Sequence, residues 1–191
     1  MDDLRCLRAA NSARLFQQSS AAGPMAGRDF SIRGDFLPIP YFILAAALVA
    51  GDQLVKFWVR ANIPLHTHLD FLPGMDLTYV QNTGAAFSMF SRHTWMLTLL
   101  SGVVAVILAI VLAKRVLPHW SGQLSLALLL GGAIGNFIDR LLLGYVTDMF
   151  ATTFMNFAVF NVADIGVVVG GVLLCVHVLF FMRGDKGAAK V

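Results

Sequence analysis

Asp52, Asp139, Asp148 and Asp164 stand inside or beside long apolar runs, where an ionised carboxylate at a helix centre costs on the order of 2.5 to 3.5 kcal/mol. Asp52 lies within Gly51-Asp52-Gln53, and Asp139 is followed directly by Arg140. Asn136, Asp139 and Arg140 stand at i, i+3 and i+4, which puts a polar stripe on one face of a helix. Asn161 and Asp164 are three apart at the start of another apolar run, the spacing of a helix cap with an acid at the positive end of the helix dipole. A dipole that favours a carboxylate also prepares a base. From spacing alone, Asp139 and Arg140 read as a structural ion pair anchoring a helix end, and Asp148 reads as a solvated loop acid.

Two carboxylates brought within about 3 to 5 Å cannot both ionise cheaply, so they share a proton. One then serves as base and the other as acid, the arrangement that activates water against a carbonyl. Other chemistries have less support. His66, His68, His93, His119 and His177 form no metal-ligand pattern. The chain has no Gly-x-Ser-x-Gly elbow, Walker loop or His-Glu-x-x-His helix. Cys6 lies in a polar stretch and Cys175 in an apolar one, which supports neither a disulfide framework nor a thiolate metal site.

The elements that must position these acids are membrane spans. The chain is 58% hydrophobic with a mean hydropathy of +0.74, too apolar for a water-soluble globule of this length. Only 13% of residues are charged, every acid is an aspartate, and the net charge of +3 is too small to point to nucleic acid. Apolar stretches at about Pro38 to Val59, Trp95 to Ala113, Gln123 to Leu143 and Asp164 to Met182 each approach the roughly 20 residues a helix needs to cross a bilayer. Helices are predicted for all four, since a helix satisfies its own backbone in lipid.

Lys and Arg set the orientation. Arg28 and Arg33 precede the first span, Lys114 and Arg115 follow the second, and Arg183, Lys186 and Lys190 follow the fourth, whereas Leu141 to Asn161 contains neither residue type. Both termini are expected in the cytoplasm, with Asp139, Asp148 and Asp164 gathered at the outer surface. Lys56, Arg60, Arg92 and Arg140 are the basic residues near the outward span ends. In the outer loop, His66 to Phe71 and Met75 to Gln81 flank Pro73-Gly74, which predicts a small surface hairpin. Gly131 and Gly135, and Gly166 and Gly170, make small-xxx-small steps through which spans three and four would pack. Residues 1–36 are expected to form a disordered cytoplasmic tail, residues 37–183 the four-helix membrane domain, and residues 184–191 a cytoplasmic tail.

These blocks, in this order, resemble bacterial lipoprotein signal peptidase, the signal peptidase II family, from about Pro38 to Met182. They are Gly51-Asp52-Gln53-Leu54-Val55-Lys56, Asn82 to Ser88 (NTGAAFS), Gly131 to Arg140 (GGAIGNFIDR), Val146-Thr147-Asp148, and Phe160 to Asp164 (FNVAD). The resemblance implies an all-α membrane protein of four transmembrane helices with a small extracytoplasmic β platform. It also implies a catalytic pair, Asp148 and Asp164, which reverses the spacing-only reading of Asp148. Asp52, Asn82, Gly84, Asn136, Asp139, Arg140 and Asn161 are implied to support or line the site. The family usually has phenylalanine directly after the first catalytic aspartate, where this chain has Met149; altered packing rather than lost chemistry is expected.

The implied activity is an aspartyl endopeptidase of the bacterial inner membrane that removes signal peptides from diacylglyceryl-modified prolipoproteins, on the amino side of the lipidated cysteine. It would work without a metal or organic cofactor, as a monomer in contact with membrane lipid. A small transporter relaying protons through Asp52 and Asp139 would need central acids and inverted repeats, and no such repeats are evident. A non-enzymatic assembly factor would leave the outward aspartates unexplained.

Overall fold

Helix ends in this chain follow local chemistry. A computed structural model describes residues 38–84 and 94–181, so the predicted terminal tails, and Ala85 to Ser88 of the second block, lie outside the described residues. Helix α1, Ile39–Asn62, begins after Pro38 and stops where Ile63 turns extended and donates its N–H to the Val59 carbonyl. Helix α2 is Thr94–Ala113. Helix α3, Trp120–Leu143, starts three residues before the expected Gln123, because the His119 side chain accepts from the Ser121 N–H and caps it. It ends at Gly144, whose φ of +79° gives the left-handed cap that glycine accepts without strain. Helix α4, Val162–Phe180, opens with a reciprocal capping box between Asn161 and Asp164. All four helices are long and apolar enough to cross a membrane.

The predicted hairpin is present as β1, His68–Leu72, and β2, Met75–Asn82, paired antiparallel around the Pro73-Gly74 turn. Its first strand starts later than expected, because His66 sits at φ +62° and cannot extend the strand. A third strand, β3, Val146–Thr152, pairs antiparallel with β2 where the sequence predicts outer loop. Its partner lies some 70 residues earlier in the chain, beyond the reach of local pattern. Between the pairs Leu77 with Phe150 and Val80 with Asp148, the two residues Thr78 and Tyr79 oppose the single Met149, a bulge of the kind that re-aims side chains beside a site.

Helix α3 is the hub, packing on α1, α2 and α4. Ala45 of α1, Ala105 and Leu112 of α2, and Leu126, Ala127 and Leu130 of α3 form one buried cluster. The expected α3–α4 glycine packing is present at Gly135, where an added Cβ would meet Ala163 of α4, and at Gly170 of α4, where it would meet Leu129 and the Ser125 carbonyl of α3, but Gly131 departs from it. Gly131 turns toward Leu48 and the Ala45 carbonyl of α1, whereas Gly132 meets α4, where an added Cβ would lie 2.5 Å from the Ala163 carbonyl. The i+1 offset matters because adjacent helical residues point about 100° apart. Met149 is fully buried with Val59, Ile63 and Tyr79, joining the sheet to the end of α1.

Candidate active site

Phe150 and Phe160 exchange backbone hydrogen bonds at 2.9 and 3.1 Å, and Met149 also donates to the Phe160 carbonyl at 3.0 Å. This bridge brings Asn161 and the start of α4 alongside Asp148 in β3. Asp148 is 2% exposed, so the solvated-loop reading fails: pairing with β2 draws its strand inward. Both Asp148 and Asp164 line a cavity of about 540 Å³. Asn82, Asn136 and Arg140 contribute to its polar side, and Phe157, Ile165 and Val168 to its apolar wall.

Asn161 bridges the two acids. Its Nδ2 donates to Asp148 Oδ1 at 2.6 Å, its backbone N–H donates to Asp164 Oδ2 at 3.2 Å, and its Oδ1 accepts from the Asp164 N–H at 2.9 Å. The residue that starts α4 therefore also joins the acids. Asn82 Nδ2 donates to Asp148 Oδ2 at 2.9 Å, and Asn136 Nδ2 donates to Asp164 Oδ1 at 2.7 Å. Every one of these carboxylate oxygens thus meets an N–H donor. Burial pushes the Asp148 carboxyl up to about 6; the Asp164 charge acts in the same direction, while the bonds from Asn82 and Asn161 and the charge of Lys56 oppose it.

Asp52 reaches across from α1 and accepts the Ala163 N–H with Oδ1 at 2.9 Å, satisfying a donor at the N-terminus of α4. Its other oxygen pairs with Lys56 at 2.8 Å. Asp139 pairs with Lys56 at 3.5 Å and Arg60 at 3.7 Å, and accepts from the Thr147 N–H at 2.9 Å and Gln53 Nε2 at 3.2 Å. The expected Asp139–Arg140 pair is corrected: among the described residues no ion pair joins them. As neighbours on a helix they diverge, so Asp139 faces α1 while Arg140 faces the cavity and donates Nη2 to the Gly84 carbonyl at 3.2 Å. Gly84 is held by its own N–H on Asn82 Oδ1 at 3.0 Å.

All nine expected residues gather around this cavity or its supports. The sequence assigns no site role to Lys56, Gln53 and Thr147, although they stand in the blocks that carry the resemblance, nor to Arg60. The missed signal was the i, i+4 spacing of Asp52 and Lys56 inside an apolar span, which places an ion pair on one helix face. Asp52 and Asp139 thus form a buried ionic cluster with Lys56 and Arg60. The acids facing the cavity are Asp148 and Asp164, a buried pair with an apolar wall beside it.

Residues 44–180 match the family model described as signal peptidase (SPase) II. A lipoprotein signal peptidase of Streptococcus pyogenes serotype M2 is 46% identical over 140 residues, covering 71% of this chain and 90% of that protein. One of Enterococcus faecalis is 40% identical over 155 residues, covering 81% and 94%. Two solved structures of a bacterial membrane enzyme, obtained by the in meso method at 2.3 and 1.9 Å, are also similar. The first superposes with a TM-score of 0.70 at 26% identity, covering 80% of this chain and 92% of its own. The second gives 0.67 at 27%, covering 74% and 94%.

Proposed function

Because this chain belongs to the signal peptidase II family, we propose that it is an aspartyl endopeptidase in which Asp148 and Asp164 together cleave the signal peptide of a prolipoprotein. It is a multi-pass membrane protein that processes lipoprotein signal peptides. The observation that carries the aspartyl assignment is the convergence of the two acids on one cavity, bridged by Asn161.

Asp148, buried and held up to about 6, keeps the shared proton and offers it to the scissile carbonyl oxygen. Asp164 removes a proton from water, whose oxygen attacks the carbonyl carbon. The C–N bond then breaks as the amine takes the proton held by Asp164, while a hydroxyl of the tetrahedral intermediate returns its proton to Asp148, which leaves a carboxylic acid and restores the pair. Asn82, Asn136 and Asn161 hold the carboxyl groups in place through this exchange. No metal or organic cofactor enters the scheme.

The apolar wall of Phe157, Ile165 and Val168 suits the acyl chains of a diacylglyceryl-cysteine, with the peptide cut on the amino side of that residue. The basic residues flanking the spans favour cytoplasmic termini and a site near the outer face of the bacterial inner membrane. We read the enzyme as a monomer in contact with membrane lipid. The test is cleavage of a diacylglyceryl-modified substrate by purified variants: Asp148→Asn and Asp164→Asn should each abolish it while remaining folded. Near-normal turnover by either would overturn that residue's assignment.

A further inference from the structure

An asparagine amide can present either its N–H groups or its oxygen, and a catalytic carboxylate needs the N–H end. Asn136 gives that end to Asp164 at 2.7 Å, while its Oδ1 accepts from Lys56 Nζ at 3.0 Å and from Asn161 Nδ2 at 3.1 Å. A flipped amide would set oxygen against the carboxylate and NH₂ against an ammonium. Lys56 can only donate, so the direction of every later bond follows from it. Asn136 must turn its oxygen to Lys56, and the Asn161 NH₂ then reaches both that oxygen and Asp148.

Lys56 is itself immobilised. It is fully buried, paired with Asp52 at 2.8 Å and Asp139 at 3.5 Å, and it approaches the Gly135 carbonyl at 3.5 Å. We propose that Lys56 is a positioning residue for hydrolysis, a fixed donor that orients the Asn136 amide, and through it Asn161, so that both catalytic carboxyls meet N–H groups. This rests on the aspartyl reading of Asp148 and Asp164.

A merely structural Lys56 would do no more than neutralise Asp52 and Asp139, and the two roles separate in a charge-balanced background. Lys56→Met alone leaves a surplus buried carboxylate and risks misfolding. Lys56→Met combined with Asp52→Asn removes one charge of each sign, and the added asparagine keeps an oxygen for the Ala163 N–H. Compared with Asp52→Asn alone, the double variant should lose about 10- to 100-fold in kcat with KM changed less than about twofold.

The pH profile supplies a second readout. The charged groups around Asp148 are Lys56, Arg60 and Asp52 on α1, Asp139 and Arg140 on α3, and Asp164 on α4. Removing the Lys56 cation removes an influence that lowers Asp148, so the alkaline limb of kcat/KM should move to higher pH. Equal kcat and an unmoved limb in the double variant and its Asp52→Asn parent would overturn the proposal. Asp148→Asn and Asp164→Asn assayed on the same lipidated substrate report separately on the dyad, so failure of that reading is distinguishable from failure of this one.

Discussion

The carboxylate of Asp139 accepts the backbone N–H of Thr147 at 2.9 Å, and Thr147 is the residue immediately before Asp148. An acid of α3 thus holds the strand that carries the proposed catalytic acid. Asp139 also neutralises Lys56 and Arg60. Asp139→Ala should therefore destabilise the protein by about 3 to 5 kcal/mol, the cost of removing one partner from a buried ionic cluster. Arg140→Ala, which takes away a group facing the cavity, should depress turnover more than stability. Thermal unfolding in detergent beside cleavage rates would check the contrast, and equal stability loss in both would refute it.

In the proposed mechanism the two acids act on one proton, so their contributions should not add. Asp148→Asn/Asp164→Asn should be scarcely slower than either single variant. A double variant whose loss of rate reaches the product of the two single losses would show that the acids act independently.

The position of Asp148 near 6 makes two statements about pH. For activity, the proton it must donate is lost as pH rises, so kcat/KM for the free enzyme should show an alkaline limb with a midpoint near 6. For stability, the folded carboxyl titrates higher than the roughly 3.9 of an unfolded chain. Between those values the folded state holds the extra proton, and raising pH through that window lowers stability. Relative to Asp148→Asn, the parent protein should therefore lose about 3 kcal/mol between pH 3 and pH 7. Unfolding midpoints of the two proteins, compared at several pH values, give the difference directly.

Gly132→Ala would place a Cβ 2.5 Å from the Ala163 carbonyl and 2.6 Å from a Val167 methyl, forcing the N-terminal turn of α4 away from α3. A loss of about 1 to 3 kcal/mol is expected, with reduced turnover because Asp164 rides on that turn. Gly51→Ala meets nothing within 4 Å and should be neutral, or stabilising by up to about 1 kcal/mol through helix propensity. Folded yield and kcat for the pair would test this, and similar behaviour of both would argue against the close contact at Gly132.

The helices were legible because a membrane span must be a long apolar run, and the hairpin because Pro73-Gly74 marks its turn. Strand β3 was not, although Val146, Thr147 and Phe150 are good strand residues, because its pairing with β2 is non-local. The burial of Asp148 follows from that pairing and was hidden with it. Asn161 and Asp164 declared their capping geometry through a three-residue step, whereas the partners of Asp139 come from α1 and β3 and could not be read from α3 alone. Lys56 was obscured for a different reason: a basic residue near a span end usually reports topology, and although its spacing points to Asp52, its contacts with Asp139 and Asn136 come only from tertiary packing.

Asn161 both starts α4 and joins Asp148 to Asp164, which carries a consequence for the order of synthesis. A nascent chain that has reached Thr152 already contains Asp148 and its strand, yet lacks the residue that bridges it and the acid that completes it. With Asp148 and Asp164 in the proposed roles, competence to cut would arrive only when the final span begins to wind, in the same step that closes its first turn. Folding of the last helix and completion of the site would then be one event.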